Sequence, residues 1–296
     1  MMRGLGADKF GFGASFGCGD RLGEILHNIR NHKLRVLLTG LSVSWGIFML
    51  ILLLGAGYGL ENGVRRSFAE DAVNSLWVHP GQTSLAFKGL RQGRRVKFRN
   101  EDLDDVRAYH PAVDLSSARL YLWSKKTIRF GQRASNFDLV GIHPDYQEIE
   151  NLRMLEGRGL NPRDLSTSRK TAIIGKVVAG ELLGRKPAVG QHILINEVAF
   201  QVVGVFHDPG DDRQEETIYI PLSTLQRVFT GNDRIHTMAF TVAASDVDGA
   251  RRVEKRMLQR LAARLQFDPD DERAVFIHNT FEEYSRYMRL FANIRT

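Results

Sequence analysis

Residues 36–60, VLLTGLSVSWGIFMLILLLGAGYGL, carry no charged side chain, and Arg35 and Glu61 close the run at either end. A helix of that length reaches about 37 Å at about 1.5 Å per residue, against a hydrocarbon core of about 30 Å, so it spans a bilayer with some tilt. Leu50, Ile51, Leu52, Leu53 and Leu54 are consecutive. Each apolar residue of this kind favours insertion by roughly 0.3–0.6 kcal/mol, and no Lys or Asp is present to cost about 3 kcal/mol. A cleaved signal peptide has a shorter apolar region close to the N-terminus, whereas here a long polar stretch comes first. A core helix of a soluble protein would be shorter or show a polar face. A lipid-anchored cysteine would follow the run, but the only cysteine, Cys18, lies upstream of it among glycines. The run reads as a membrane anchor.

The 296 residues carry a net charge of +7, a balance that raises nucleic acid or anionic lipid as partners. The placement of the charge argues against nucleic acid. Arg21, Arg30, Lys33 and Arg35, with His27 and His32, precede the anchor, and no acid lies between Glu24 and the run. This is the positive-inside pattern, which predicts a cytoplasmic N-terminus and an inner-membrane location. Arg65 and Arg66 follow the run in the company of Glu61, Glu70 and Asp71, and a long downstream domain crosses largely regardless of such charges. The main domain is therefore expected on the periplasmic side. Without a cysteine after position 18, it must hold together by its core alone.

The glycine-rich residues 1–20 offer no apolar period and are expected to be disordered. Over 21–35, Leu22, Ile25, Leu26 and Ile29 recur at helical spacing, the pattern of an amphipathic helix on the cytoplasmic membrane face. Within and just beyond the anchor at 36–60, Gly55, Gly59 and Gly63 follow at four-residue intervals and would let another helix approach closely. Residues 61–279 read as one folded domain. Ser75–His79 is a predicted strand, Asn100–Tyr109 a helix capped by Asn100, and Ala112–Trp123 a strand. Thr237–Val242, Asp246–Leu265 and Ala274–His278 repeat that order near the other end. Two βαβ units laid together make a ferredoxin-like lobe from 70–123 plus 234–279, with a β-rich lobe inserted over 124–233. The fold class is thus α+β behind one N-terminal transmembrane helix. From Thr280 a helix begins behind a predicted capping box, Thr280 with Glu283, and runs to residue 296 as a stalk toward a further membrane span.

No catalytic constellation is expected. The GxxxxGK[ST] loop that cradles phosphates is missing, since Gly175-Lys176 is followed by Val177. The histidines show neither HxxxH nor HExxH spacing, so no metal is expected. The acidic loop 207–216, HDPGDDRQEE, lacks the order of a calcium loop and reads as a solvated turn. No GxSxG elbow is present. The basic stretch 88–99, KGLRQGRRVKFR, reads as a hairpin with charged edges ahead of a surface for an acidic partner or lipid headgroups, and its expected place outside the cytoplasm argues against a groove for single-stranded nucleic acid. No cofactor is implied.

Several blocks together resemble the permease subunits of ABC transporters of the macrolide-exporter and lipoprotein-releasing type, those with a MacB-like periplasmic core domain. They are 35–41 (RVLLTGL), 140–146 (VGIHPDY), 155–158 (LEGR), 172–175 (AIIG) leading to Gly190-Gln191, 200–206 (FQVVGVF) and 219–222 (YIPL). The resemblance covers 22–294. It implies a non-enzymatic subunit that dimerises with a second permease copy, works with a cytoplasmic ABC ATPase and meets a periplasmic adaptor. Membrane helices would relay the ATPase cycle to the periplasmic domain, and 60–68 and 280–294 are the stretches suited to that relay. It also implies four membrane helices, three of them after this domain, so the chain reads as the N-terminal part of such a permease. Ile25 and Ile29 would face the ATPase, and the membrane lipid is the remaining partner. The alternative reading is a single-pass anchored periplasmic binding or sensory module.

Overall fold

The computed structural model describes residues 33–70, 74–184, 186–211, 213–243 and 247–294. The glycine-rich start and most of the helix expected over 21–35, with Ile25 and Ile29, lie outside the described residues. The chain divides into two compact units, with the boundary between Glu61 and Asn62.

Helix α1 covers Lys33–Glu70. Its stretch Lys33–Leu60 has a mean hydropathy of 2.3 and is long and apolar enough to cross a membrane. Every side chain from 33 to 60 is exposed, including Leu53 at 70% and Trp45 at 59%. Water does not tolerate so large a continuous apolar surface, whereas a bilayer requires it. Two hydroxyls in the run are satisfied by its own backbone, as lipid would demand. Thr39 Oγ1 donates to the Arg35 carbonyl at 2.5 Å and Ser42 Oγ to the Leu38 carbonyl at 2.8 Å.

In the second unit the strands are β1 (Ser75–Pro80), β2 (Phe98–Arg99), β3 (Val113–Tyr121), β4 (Ile128–Phe130), β5 (Arg133–Ser135), β6 (Asp138–Ile142) and β7 (Arg153–Gly157). They continue as β8 (Thr171–Gly175), β9 (His192–Ile195), β10 (Val198–His207), β11 (Thr217–Pro221), β12 (Arg234–Ile235), β13 (Thr237–Val242) and β14 (Val275–Asn279). The helices are α2 (Asn100–Tyr109), α3 (Tyr146–Ile149), α4 (Pro162–Ser166), α5 (Lys176–Val178, continuing as a π-turn), α6 (Leu222–Leu225, likewise), α7 (Val247–Leu265) and α8 (Thr280–Ile294).

The first and last pieces assemble as β14-β1-β13-β3, all antiparallel neighbours, which is the ferredoxin-like order. Helices α2 and α7 cover one face, with Leu103, Val106, Met257 and Leu261 buried beneath them. Arg260 forks onto Asp105 at 2.8 and 2.7 Å, and Arg264 reaches Asp102 and Glu101, tying the two helices together. The sheet does not stop at the end of this lobe. The far end of β3 pairs with β6, and the order continues β6-β11-β8-β10-β9-β4-β5, so one sheet runs through both lobes. Pleating splits its side chains between two cores. Leu76, Leu120, Leu139, Ile174 and Ile220 join the cluster on the helix-covered face, and Val140, Ile173, Phe206 and Tyr219 form a smaller cluster on the other face.

Two expected helix starts are corrected. Asn279, not Thr280, caps α8, its Oδ1 accepting from the Glu282 amide at 3.2 Å. The Thr280 hydroxyl instead donates to the Ser75 carbonyl at 2.9 Å and accepts from the Ser75 amide at 3.1 Å, while Glu283 pairs with His278 at 3.0 Å. At α2, Asn100 is the first helical residue and its side chain exchanges hydrogen bonds with Gln226. The Asp102 carboxylate holds the Arg99 amide at 2.7 Å in its place. In both cases a tertiary partner took the side chain that a local pattern assigns to the cap. The basic stretch does begin as a hairpin turn, since Phe87 and Leu90 exchange both backbone hydrogen bonds around Lys88 and Gly89, each at positive φ.

Two glycines mark where backbones meet. A Cβ on Gly204 would lie 2.2 Å from the Arg158 carbonyl oxygen, and one on Gly175 2.1 Å from that of Glu215. Gly204→Ala is expected to destabilise the fold by about 1–3 kcal/mol, because the β7–β10 ladder must part to admit the methyl; a urea titration of the detergent-solubilised chain measures it, and an unchanged midpoint contradicts the packing. Burial holds His79, His110, His143 and His236 below the ordinary histidine value, helped by Arg119 and His278 at His79, Arg256 at His110, Arg107 at His143 and Arg234 at His236; Asp145 and Asp104 oppose it at His143. With the folded-state values lowered, the unfolded chain binds protons first as pH falls through about 6.5, so stability drops with acidification. The same titration at pH about 7.5 and about 6 should show a lower midpoint at the acid end, and a flat or rising midpoint would contradict it.

Candidate functional site

On β3 the pleat that sends Ala118 and Leu120 into the larger core turns Arg119 and Tyr121 to the opposite face. There the Arg119 guanidinium lies over three rings, 4.4 Å from the centroid of Trp77, 5.5 Å from Tyr146 and 5.6 Å from Tyr121. Among the described residues no carboxylate lies within 4 Å of it. Its Nη1 donates to the Tyr146 hydroxyl at 3.1 Å, and its Nε is buried without a hydrogen-bond partner. The rings supply the attraction that a carboxylate would otherwise provide.

A relay leads away from this cation. The hydroxyls of Tyr146 and Tyr219 both donate to Gln214 Oε1, at 3.3 and 2.5 Å, and Gln214 Nε2 donates to Glu150 at 2.8 Å. Burial pushes both phenols above their ordinary range, so they stay protonated as donors. Arg119, Tyr121, Asp138, Val140, Tyr146, Asp211, Arg213, Gln214, Thr217 and Tyr219 line a cavity of about 210 Å³. It sits where β3 of the ferredoxin-like lobe meets β6 and β11 of the inserted one.

Beside the cavity, exposed Trp123 stacks on His236 at 4.1 Å and on Tyr121 at 5.9 Å. His236 Nδ1 accepts from the Tyr121 amide at 3.1 Å, which fixes the neutral tautomer with the proton on Nε2. In the acidic loop, Asp208 Oδ1 accepts from the amides of Gly210 and Asp211, and Glu215 pairs with His207. These carboxylates close a turn. No group of three or more His, Cys, Asp or Glu side chains is placed to hold a metal among the described residues.

The residues singled out in the sequence lie elsewhere. A Cβ on Gly55, Gly59 or Gly63 of α1 would meet nothing within 4 Å among the described residues. Ile25 and Ile29 fall outside the described residues. Sequence reasoning missed Arg119, Gln214 and His236. The one signal available for Arg119 was its place in ARLY, a cation on the strand face opposite Ala118 and Leu120.

At the β14 end of the sheet the chain's two connections come together. β1 follows α1 in the chain, β14 leads directly into α8, and the two strands are antiparallel neighbours with Leu76 opposite Asn279. Ser75 and Thr280 are joined by the hydrogen bonds above and by a hydroxyl–hydroxyl contact of 2.9 Å. Arg251 forks onto Glu282 at 3.2 and 2.6 Å, and Glu254 accepts from Asn279 at 3.0 Å, bracing α8 against α7.

The family model described as MacB-like periplasmic core domain matches residues 36–260. A macrolide export ATP-binding/permease protein MacB 1/2 of Paracoccus denitrificans is 27% identical over 78% of this chain and 34% of its own length. MacB of Campylobacter jejuni is 29% identical over 73% of this chain and 33% of its own. The chain therefore spans about a third of the length of these curated relatives. The crystal structure of the periplasmic region of MacB from Actinobacillus actinomycetemcomitans superposes with a TM-score of 0.61 at 18% identity, covering 76% of this chain and 97% of that one. The extracellular domain of the noncanonic ABC-type transporter YknZ from Gram-positive bacteria does so at 0.58 and 17%, covering 70% of this chain and all of that one. On the family match over most of its length, behind a helix able to span a membrane, the chain belongs to the MacB-like periplasmic core domain family.

Proposed function

We propose that this chain is the membrane (permease) subunit of an ABC transporter, coupling ATP hydrolysis by a cytoplasmic partner ATPase to conformational change in a periplasmic domain, for export or for transport of lipoprotein, peptide or drug. The observation that carries the proposal is the junction at β1 and β14. Both chain connections of the domain arise from one sheet edge, held together by Ser75 and Thr280. Movement delivered by the helices before β1 and after β14 would then act on the sheet at one place, and β1 and β14 would not need to separate. Two of the curated relatives are named as ATP-binding/permease proteins of macrolide export, which supports the reading of an ATP-driven permease.

In this reading the N-terminus is cytoplasmic, the domain periplasmic, and Gly55, Gly59 and Gly63 form the approach face for a second permease copy. Ile25 and Ile29 face the ATPase across the cytoplasmic surface. The two lobes meet the second copy or a periplasmic adaptor.

The orientation is tested with the chain's own cysteine. A membrane-impermeant maleimide should label a Trp123→Cys variant in intact spheroplasts and reach Cys18 only after permeabilisation; labelling of Cys18 alone in intact cells would overturn the topology. A photo-reactive residue at Ile25 or Ile29 should cross-link to a co-expressed ABC ATPase. Absence of any product at both positions, with the topology intact, would instead favour an anchored binding or sensory module.

A further inference from the structure

Arg119 is a cation set on aromatic rings inside a cavity, with Nη2 making no hydrogen bond among the described residues and Nε buried without a partner. A guanidinium withdrawn from water is ordinarily met by a carboxylate or phosphate, because the rings offset only part of its lost hydration. The nearest acid on its relay, Glu150, acts on it through space and along Tyr146 and Gln214, without touching it. The inner end of the cavity therefore offers the Arg119 cation, with no carboxylate in contact with it among the described residues.

The rim is different. Asp138 and Asp211 stand there with Arg213. Asp138 is 76% exposed and holds Lys126 at 3.3 Å. Two carboxylates at the entrance repel a dianion and tolerate a ligand of charge zero or minus one. A volume of about 210 Å³ admits a small group, and the Tyr121 ring offers its body a flat apolar wall.

We propose that this cavity is a binding site for a small carboxylate, which takes the free Nη2 of Arg119 while its body lies against Tyr121. The carboxylate belongs either to a free small molecule or to the C-terminus of a peptide. This holds whether or not the chain is a transporter subunit, and it asks for no movement.

The test is calorimetric titration of the detergent-solubilised 296-residue chain with benzoate, glycyl-leucine, glycyl-leucine amide and inorganic phosphate. Saturable heat is expected from benzoate, glycyl-leucine or both, and binding of one alone identifies the free molecule or the peptide terminus as the source. The amide and phosphate should bind at least about tenfold more weakly. Arg119→Met should abolish binding, with its fold checked by thermal melting. Asp138→Asn, its fold checked in the same way because Lys126 loses its charged partner, should tighten carboxylate binding by about two- to fivefold through loss of repulsion. No saturable heat from either carboxylate up to about 10 mM, equal binding of the amide or of phosphate, unaltered binding by Arg119→Met, or no change with Asp138→Asn would each overturn the assignment.

Discussion

The pleat of β3 is the constraint on which the domain depends. This strand pairs with β13 on one side and, through its last residues, with β6 on the other, so Arg119 stands opposite both Thr237 and Ile142. One strand thus carries the register of both lobes. A slip of a single residue would turn Ala118 and Leu120 away from the larger core and drive Arg119 into it. An unpaired guanidinium among Leu103, Val106 and Phe240 would cost several kcal/mol, more than any ladder hydrogen bond returns. The register is fixed by that asymmetry, and the cation is tolerable only on the face where Trp77, Tyr121 and Tyr146 receive it.

Periodicity carried much of this architecture into the sequence. The uncharged run over 36–60 needs no partner to be recognised, because the bilayer acts on composition alone. The order β1-α2-β3 and β13-α7-β14 was legible because each element buries one face, leaving a period of two or 3.6 in the side chains. What could not be read was anything decided by residues distant in the chain. Thr280 looks like a cap until Ser75 stands beside it, and Asn100 until Gln226 does. Arg119 looks like an ordinary strand residue until Trp77 and Tyr146 close on it. The continuity of the sheet from β3 into β6 is of the same kind, since no local signal says whether an inserted lobe shares hydrogen bonds with its host.

The blocks that carry the family resemblance are largely architectural. Gly175 ends the AIIG block where the Glu215 backbone crosses it, and Gly204 sits in FQVVGVF where the Arg158 backbone does. Arg158 in turn grips Asp164, a fully buried acid that also holds the Asn161 amide at the start of α4. Such positions answer to close packing in the inserted lobe, whatever the domain binds. Of the cavity lining, Val140, Tyr146 and Tyr219 lie inside those blocks, while Arg119 and Gln214 lie outside them.

The sheet also limits how the two functional regions could communicate. From β14, where α8 departs, to β3, where the cavity opens, is three strand spacings of about 4.8 Å, each bridged by a backbone ladder. Backbone ladders have no second arrangement short of breaking, so this path transmits displacement as a rigid body and offers no side-chain switch along it. The lining supplied from outside the ladders is Tyr146 of α3 and the turn bearing Asp211, Arg213 and Gln214. If the lobe moves as the transporter reading requires, the cavity must respond through these residues. Any coupling between ligand and movement would then lie in how differently they meet the ligand in the two positions of the lobe.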